Sequence, residues 1–403
     1  MLRKSAIRPF VIALAFLSFF LSVCGTILII PIALNGQADF RQLYTAGYMV
    51  RTGHRAQLYD FGRTEAFQNQ VVTPAVRGLP FNHLAYESLL YAPLSVFRYR
   101  TAYAVFFGVN LAVLAGSFRM LRPYLSSLLE IWTFLPAAIF ACFLPVTLAL
   151  LQGQDSIILL ALMISATVMV DRRGDFRSGM LLGLTLFKFQ YALPVVLLFM
   201  VWRRWRFISG FALSAVVVIT VSLWITGWGG FVSYAHSLVE MSAKFSPVYS
   251  DQYGIRPQFM PNVRGLAYMV ANGSPFATHA IVLVSSAFAL VWAATRPPSF
   301  PLALLAALLV SYHQVISDMT LTILPLGWTL AGSIGEKSSD AGRIAAVASI
   351  SLCGPALLLL AGDRFYLLAA PLILLLILWN IQPALAHGVT KSDGMNDLSV
   401  NKE

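Results

Sequence analysis

Four places in this chain put ionisable or strongly polar side chains into stretches that are otherwise apolar. The first is Asp39, in "GQADFRQLYTAGYMVRTG", directly after a long apolar run. A carboxylate held at the end of a rigid helix can take the proton of an acceptor hydroxyl, which is general-base chemistry. It can equally cap a helix that begins at Phe40, because Asp is a favoured N-cap. The second place is "LLQGQDSIILL", where Gln152, Gln154 and Asp155 interrupt an apolar run. Turn and cap chemistry accounts for Gly153 and Asp155, while the two glutamine amides offer hydrogen bonds suited to a sugar. The third is Lys188, alone in "GLTLFKFQYALP" with Gln190 two residues on. A lysine at that depth either snorkels to the interface or meets an anion, and a phosphate-bearing lipid supplies one. The fourth is "SYHQVISD", with His313 and Asp318. A lone histidine there is a satisfied structural group or, beside Asp318 or a phosphate, a binding or acid–base group. No zinc-ligand spacing and no glycine-rich phosphate loop accompanies these residues, so neither a metal nor a soluble nucleotide is expected.

The elements that carry them are set by solvent. Of 403 residues, 58% are hydrophobic and 11% charged, where a soluble domain carries about 25% charged residues. The mean hydropathy is +0.74. These values predict an all-α polytopic membrane protein, with one transmembrane domain over residues 1–385 and a cytoplasmic tail over 386–403. The net charge of +11 does not point to nucleic acid, because the basic residues fall in short clusters between apolar runs. Cys24, Cys142 and Cys353 each lie inside an apolar run, which excludes a disulfide framework. The run from Pro9 to Leu34 exceeds the roughly 7 to 15 residues of a signal-peptide core and lacks an Ala-x-Ala site, so it reads as a retained first span. Val23 stands where a lipoprotein signal needs a small residue, which argues against lipidation at Cys24.

Lys and Arg gather in short cytoplasmic loops. Arg3, Lys4 and Arg8 therefore place the N-terminus inside, and Arg119 with Arg122, Arg172 to Arg177, Arg203 to Arg206, Arg296, Lys337 with Arg343, and Lys391 follow on the same side. This pattern predicts spans near 9–34, 101–118, 129–149, 156–170, 207–226, 276–294, 300–313, 319–333, 342–361 and 365–384. Residues 178–201 have basic clusters on both sides and read as a hairpin of two short helices turned near Lys188 to Pro194. The count is then about 12 transmembrane or re-entrant helices. Two long extracytoplasmic loops remain, 35–100 and 227–275. The first holds Arg41, Arg51, Arg55, Arg63 and Arg77, an excess that either binds anions or belongs to a solvated amphipathic helix. Within it, Leu84 to Phe97 is too short to span and reads as interfacial or re-entrant, with Tyr86, Tyr91 and Tyr99 suited to the headgroup level.

In order along the chain these segments resemble glycosyltransferase family 87, of the GT-C superfamily. "ADFRQLYTAGYMVRTGHRAQLYD", with Asp39, Arg41 and Tyr44, is similar to the family's opening loop, and "FNHLAYESLLYAPLSVF", with His83 and Tyr86, to the segment after it. "LLQGQDSIILLALMI" resembles the Gly-Gln hairpin, "GLTLFKFQYALPVVLLFMVWRRWR" the lysine segment, and "LLVSYHQVISDMTLTILPL" the Ser-x-His segment. Phe189 stands where the family usually has Pro, and Asp155 where Asn is common. The resemblance implies a GT-C-like helix bundle in a bacterial cytoplasmic membrane with its active site outside. It implies inverting transfer of a hexose, commonly mannose, from a polyprenyl-phosphate donor to a lipid or glycan acceptor, without cofactor or metal. Asp39 would be the base. Arg41, Tyr44, His83, Tyr86, Gln152, Gln154, Lys188, Gln190, His313 and Asp318 would bind substrate, with Lys188, His313 and the loop arginines compensating the departing phosphate. Two other classes compete: a transporter or flippase of lipid-linked sugar, against which the absence of repeats and the long polar external loops stand, and a non-catalytic envelope-assembly subunit.

Overall fold

In hydrocarbon every backbone N–H and C=O must be satisfied within the protein, and a helix does this inside one segment. The computed structural model describes residues 4–74, 78–243, 256–335, 339–362 and 364–379, and every regular element among them is helical. Arg77, Lys337, the tail 386–403 and part of the 227–275 segment lie outside those residues. Helix α1 (Lys4–Ile32) passes through a five-residue π-turn into α2 (Phe40–Arg51). The bend is made at Gly36, whose φ is +80° and where a Cβ would lie 2.4 Å from Val72. Next come α3 (Phe61–Val71), the single turn α4 (Ser88–Tyr91) and α5 (Tyr99–Leu121). A bent pair follows, α6 (Leu135–Ala141) and α7 (Leu144–Gln152), and then α8 (Ser156–Asp171). A second pair, α9 (Asp175–Gly183) and α10 (Phe189–Val201), leads into the long α11 (Trp205–Ala243). The remainder comprises α12 (Val263–Val270), α13 (Pro275–Ala294), α14 (Phe300–Val310), α15 (Ile323–Gly335), α16 (Ser339–Ala361) and α17 (Ala369–Ile377).

Five of the helices among the described residues are long and apolar enough to cross a membrane, and up to seven if each bent pair is one span. The fuller count of about 12 transmembrane or re-entrant helices is not confirmed. The reason is length: α8 and α14 have 16 and 11 residues, below the roughly 20 that a full span needs. Residues 300–309 of α14 are all buried, so its apolar sequence reflects protein packing rather than lipid contact. The outer helices show the opposite pattern, with Leu283, Val284 and Val291 of α13 and Ile27 and Leu28 of α1 exposed.

The hairpin expected over 178–201 turns earlier than Lys188 to Pro194. Its break is at Leu184 to Lys188, and Pro194 lies inside α10. The pair does return: Arg204 Nη1 is 3.3 Å from Asp175 Oδ2. Contacts between α9 and α11 advance in step, a Cβ at Gly179 meeting Phe207 and one at Gly183 meeting Phe211 and Ser214. The two helices thus run parallel, and α10, which joins them in the chain, runs back. The basic clusters share that end of the bundle, where Tyr124 OH donates to Asp171 Oδ2 at 2.8 Å and Trp202 Nε1 to the Ala294 carbonyl at 3.1 Å.

The described residues of the two expected loops are largely helical. Residues 35–100 fold back on the bundle, with Phe40, Leu43, Met49 and Tyr91 buried in one cluster with Tyr99, Tyr103 and Phe106. Tyr91 and Tyr99 are therefore core residues rather than headgroup anchors, since burial of their rings against α2 and α5 outweighs an interfacial position. Helix α11 continues past Gly227, bending there at φ +71°. The segment from Leu84 to Phe97 is a chain of single turns with Leu90, Val96 and Phe97 exposed.

Backbone contact between α9 and α11 depends on glycine. A Cβ on Gly210 would lie 2.0 Å from the Phe176 carbonyl oxygen, whereas one on Gly229 meets nothing within 4 Å. Gly210→Val should destabilise the purified protein by about 1–3 kcal/mol, read as a fall of several degrees in melting temperature. Gly229→Ala should leave it unchanged. Equal melting temperatures for the two variants would contradict the close packing.

Candidate active site

The site is built around Lys188. The single turn Leu186–Lys188 delivers it, and Tyr86 holds that turn by accepting from Phe187 N at 3.0 Å and donating to the Leu184 carbonyl at 2.8 Å. Lys188 Nζ lies 2.6 Å from Asp155 Oδ1 and 2.6 Å from Asp318 Oδ1, and donates to Ser156 Oγ at 3.1 Å. Asp318 also accepts from Ser156 Oγ at 2.7 Å and from Tyr191 OH at 2.9 Å. Lys188 is buried, so it does not snorkel, and it meets two carboxylates of this chain. Asp155 precedes α8 but makes no side-chain cap; its second oxygen lies 3.3 Å from His83 Nδ1, which is 2.5 Å from Glu87 Oε2. Burial by itself would lower the His83 pKa, but Glu87 and Asp155 raise it above the ordinary value. Burial lifts Glu87 to about 7.

Asp39 approaches this cluster from the other side. Its backbone is helical and its side chain makes no cap, which removes the capping explanation. Gln154 Nε2 donates instead to Asp39 Oδ2, and Asp39 N donates to Gln152 Oε1 at 3.2 Å. Gly153, left-handed at φ +59°, turns α7 so that both amides reach Asp39. Lys188, Asp155 and Asp318 all act electrostatically on the Asp39 carboxylate. It is half-buried, whereas Glu87, Asp155 and Asp318 are fully buried.

The non-helical stretch after α14 closes the site. Asn262 Nδ2 donates to the Ser311 carbonyl at 2.7 Å while its oxygen caps α12, and Arg264 donates to the Tyr312 carbonyl. Among the described residues His313 Nδ1 and both amide atoms of buried Gln314 have no hydrogen-bond partner. His313 does not pair with Asp318, whose oxygens are taken by Lys188, Ser156 and Tyr191. Burial holds its pKa down at about 4, against the pull of Asp318.

The structure thus brings Asp39, His83, Gln152, Gln154, Lys188 and Asp318 together, with His313 alongside. Other expected residues stand apart. Arg41 is buried with Gln68 Oε1 at 3.0 Å, Asn69 Oδ1 at 2.7 Å and the Gly36 carbonyl at 3.3 Å, and Tyr44 OH donates to the Phe97 carbonyl at 2.8 Å. Both hold the folded 35–100 layer in place. Gln190 is half-buried and makes no hydrogen bond to the cluster among the described residues. Glu87, Ser156, Tyr191, Asn262 and Arg264 were not singled out by the sequence. Only Glu87 carried a signal there, as an acid four residues after His83 in an apolar segment. His83, Glu87 and Asp155 form a group that could hold a metal, their donor atoms lying within 4.8 Å of one another. Two ligands of one ion sit about 3 Å apart at bond lengths near 2.1 Å, so the His83–Glu87 separation of 2.5 Å fits a shared proton instead. The charge of Lys188 on Asp155 further disfavours a cation.

A buried, charged site within an all-helical membrane bundle defines an integral membrane protein with a catalytic or transport centre. The model of glycosyltransferase family 87 matches residues 87–317, more than half of the chain, and the chain belongs to that family. It is a membrane-embedded glycosyltransferase. The matched residues include Gln152, Gln154, Lys188, Gln190 and His313; Asp39, Arg41, Tyr44, His83 and Tyr86 precede them and Asp318 follows them. No curated protein and no solved structure matches the chain.

Removing one partner of a buried ion pair leaves an uncompensated charge, at a cost of about 3–5 kcal/mol. Lys188→Ala should therefore lower the melting temperature sharply, and Lys188→Ala with Asp318→Asn should recover part of the loss. If the single variant melts like the parent protein, Lys188 does not hold the two carboxylates.

Proposed function

We propose that the protein is an inverting glycosyltransferase that moves a hexose, mannose foremost, from a polyprenyl-phosphate donor to a lipid or glycan acceptor at the outer face of a bacterial cytoplasmic membrane. The observation that carries this reading is the state of the four clustered carboxylates. Glu87, Asp155 and Asp318 are fully buried and engaged with His83, Lys188 and Tyr191. Asp39 alone is half-buried, and its side chain is held by the neutral amide of Gln154 through Oδ2 rather than by a cation. A carboxylate placed that way takes the acceptor proton while the acceptor oxygen attacks the anomeric carbon. The bond from that carbon to the phosphate breaks with inversion, and the polyprenyl phosphate leaves with the electron pair. Phosphate is a competent leaving group, so no second carboxylic acid and no cofactor is needed.

Lys188 is already committed to two carboxylates, so the charge on the departing phosphate falls to other groups. With its pKa near 4, His313 is neutral at pH 7 and meets the phosphate as a hydrogen-bond donor, with Arg264 behind it as the nearby cation. The outer face is supported by the division of the bundle: the carboxylates lie at one end, and Arg119 to Arg122, Arg172 to Arg177 and Arg203 to Arg206 at the other.

Asp39→Asn keeps the shape of the side chain but cannot accept a proton. Transfer of radiolabelled sugar from a polyprenyl phosphate should fall at least about a hundredfold while the melting temperature holds; activity within a few-fold of wild type would return Asp39 to a structural role. Topology is tested separately in a background lacking Cys24, Cys142 and Cys353. A cysteine at His54 should react with a membrane-impermeant maleimide on intact cells, and one at Arg172 only after permeabilisation. The reverse pattern would put the site on the cytoplasmic side.

A further inference from the structure

A cavity of about 710 Å³ opens where the end of α1, the last turn of α2 and the start of α5 meet, and Arg51, Arg98 and Arg100 line it. Their hydrogen bonds go to neutral groups. Arg51 donates to Ser95 Oγ at 2.9 Å and to the Ser95 carbonyl at 3.0 Å, with its guanidinium over the Tyr48 ring. Arg100 donates to the Leu34 carbonyl at 3.2 Å and to Asn35 Oδ1 at 3.1 Å. The Arg98 side chain is exposed and makes neither hydrogen bond nor ion pair among the described residues, and no carboxylate lines the cavity. Three guanidiniums gathered without a counter-charge make a socket for an anion, and their planar forks suit phosphate.

A second observation says where the anion comes from. Part of the remaining wall is apolar, with Leu34, Val96 and Phe97, beside polar Asn35, Thr73 and Thr101. Val96 and Phe97 are 67% and 48% exposed, and Ile27, Leu28 and Ile32 on the neighbouring α1 are exposed too. An apolar track thus leads from the bilayer-facing side of α1 to the three arginines, the arrangement that fits a chain attached to a charged head. The cavity is separate from the carboxylate cluster. Tyr44 and Tyr99 line it, and behind them Phe40 packs on both rings and against Gly153.

We infer that the Arg51–Arg98–Arg100 cavity binds the phosphate of a membrane lipid, with the lipid chains lying along Val96, Phe97 and the end of α1. This goes beyond the transfer reaction and stands without it. A lipid seated there braces α2, at whose N-terminal end Asp39 sits. The phosphate ester is shared by two sources, an anionic phospholipid and a polyprenyl phosphate, which experiment separates.

The full-length protein, purified in detergent with equal phosphatidylglycerol and phosphatidylcholine, is examined by native mass spectrometry for retained lipid. Wild type should keep phosphatidylglycerol in preference. Arg98→Gln should lower that retention about fivefold, the effect of one basic residue on an anionic lipid, while Arg98→Lys keeps it. Arg206→Gln, an arginine at the opposite end of the bundle, should not change it. Arg98 makes no contact that folding needs, and Arg51→Gln provides a second variant expected to act in the same direction. Added polyprenyl phosphate that displaces the phospholipid identifies the carrier lipid as occupant; failure to displace it identifies ordinary anionic phospholipid. Equal retention of both phospholipids by wild type, unchanged retention in Arg98→Gln, or displacement by millimolar inorganic phosphate would each overturn the inference.

Discussion

The ion pairs of Lys188 with Asp155 and Asp318 impose the geometry on which the other parts of the site rest. Charges taken from water into a protein interior cost several kcal/mol each and are tolerated only when paired and fully hydrogen-bonded. Lys188 comes from the turn before α10, Asp155 from the residue before α8, and Asp318 from the turn before α15. Meeting at one nitrogen, they fix three helix ends relative to one another. Ser156 and Tyr191 complete the shell of Asp318, and Tyr86 sets the height of the lysine turn. One lysine cannot neutralise two carboxylates, and the surplus passes through Asp155 to His83, whose raised pKa favours the cationic ring.

This division leaves one acid for chemistry. With Asp155, Asp318 and Glu87 buried and engaged, Asp39 differs from its neighbours by being half-buried and bonded to neutral amides rather than to a cation. A base must keep a lone pair accessible, and pairing with Lys188 would have removed it. The folded layer over residues 35–100 matters for the same reason. Arg41 ties α2 to α3, Tyr44 ties it to the turn before α5, and the aromatic cluster around Phe40 packs it on α5, so that Asp39 sits on a rigid support.

The carboxylate cluster and the short basic clusters from Arg119 to Arg206 lie at opposite ends of the bundle. Short helices that do not span, α9 and α10 among them, carry the lysine inward and return, while α14 fills the middle. Irregular backbone such as Ser311 to Val315 is tolerated there because it is enclosed by protein, with Asn262 and Arg264 accepting the task of satisfying its carbonyls.

How much of this the sequence carried follows from what each signal measures. Hydropathy and the spacing of arginines determined that the chain is a helical membrane protein, because solvent preference is a property of each segment alone. Unusual residues in apolar runs marked Asp39, Gln154, Lys188 and Asp318 for the same reason, since a charge at depth is costly wherever it ends up. Hydropathy could not tell a span from a buried helix, because α14 is as apolar as a lipid-facing helix and only packing shows that its neighbours are protein. Sequence likewise could not choose between a cap and a base for Asp39, or between snorkelling and pairing for Lys188, since each choice depends on partners more than a hundred residues away. Tyr191 was hidden because its importance lies in which side chain it touches. Those choices belong to the tertiary structure: where a buried charge finds its counter-charge is decided by helices meeting in space, and local residue pattern holds no record of that meeting.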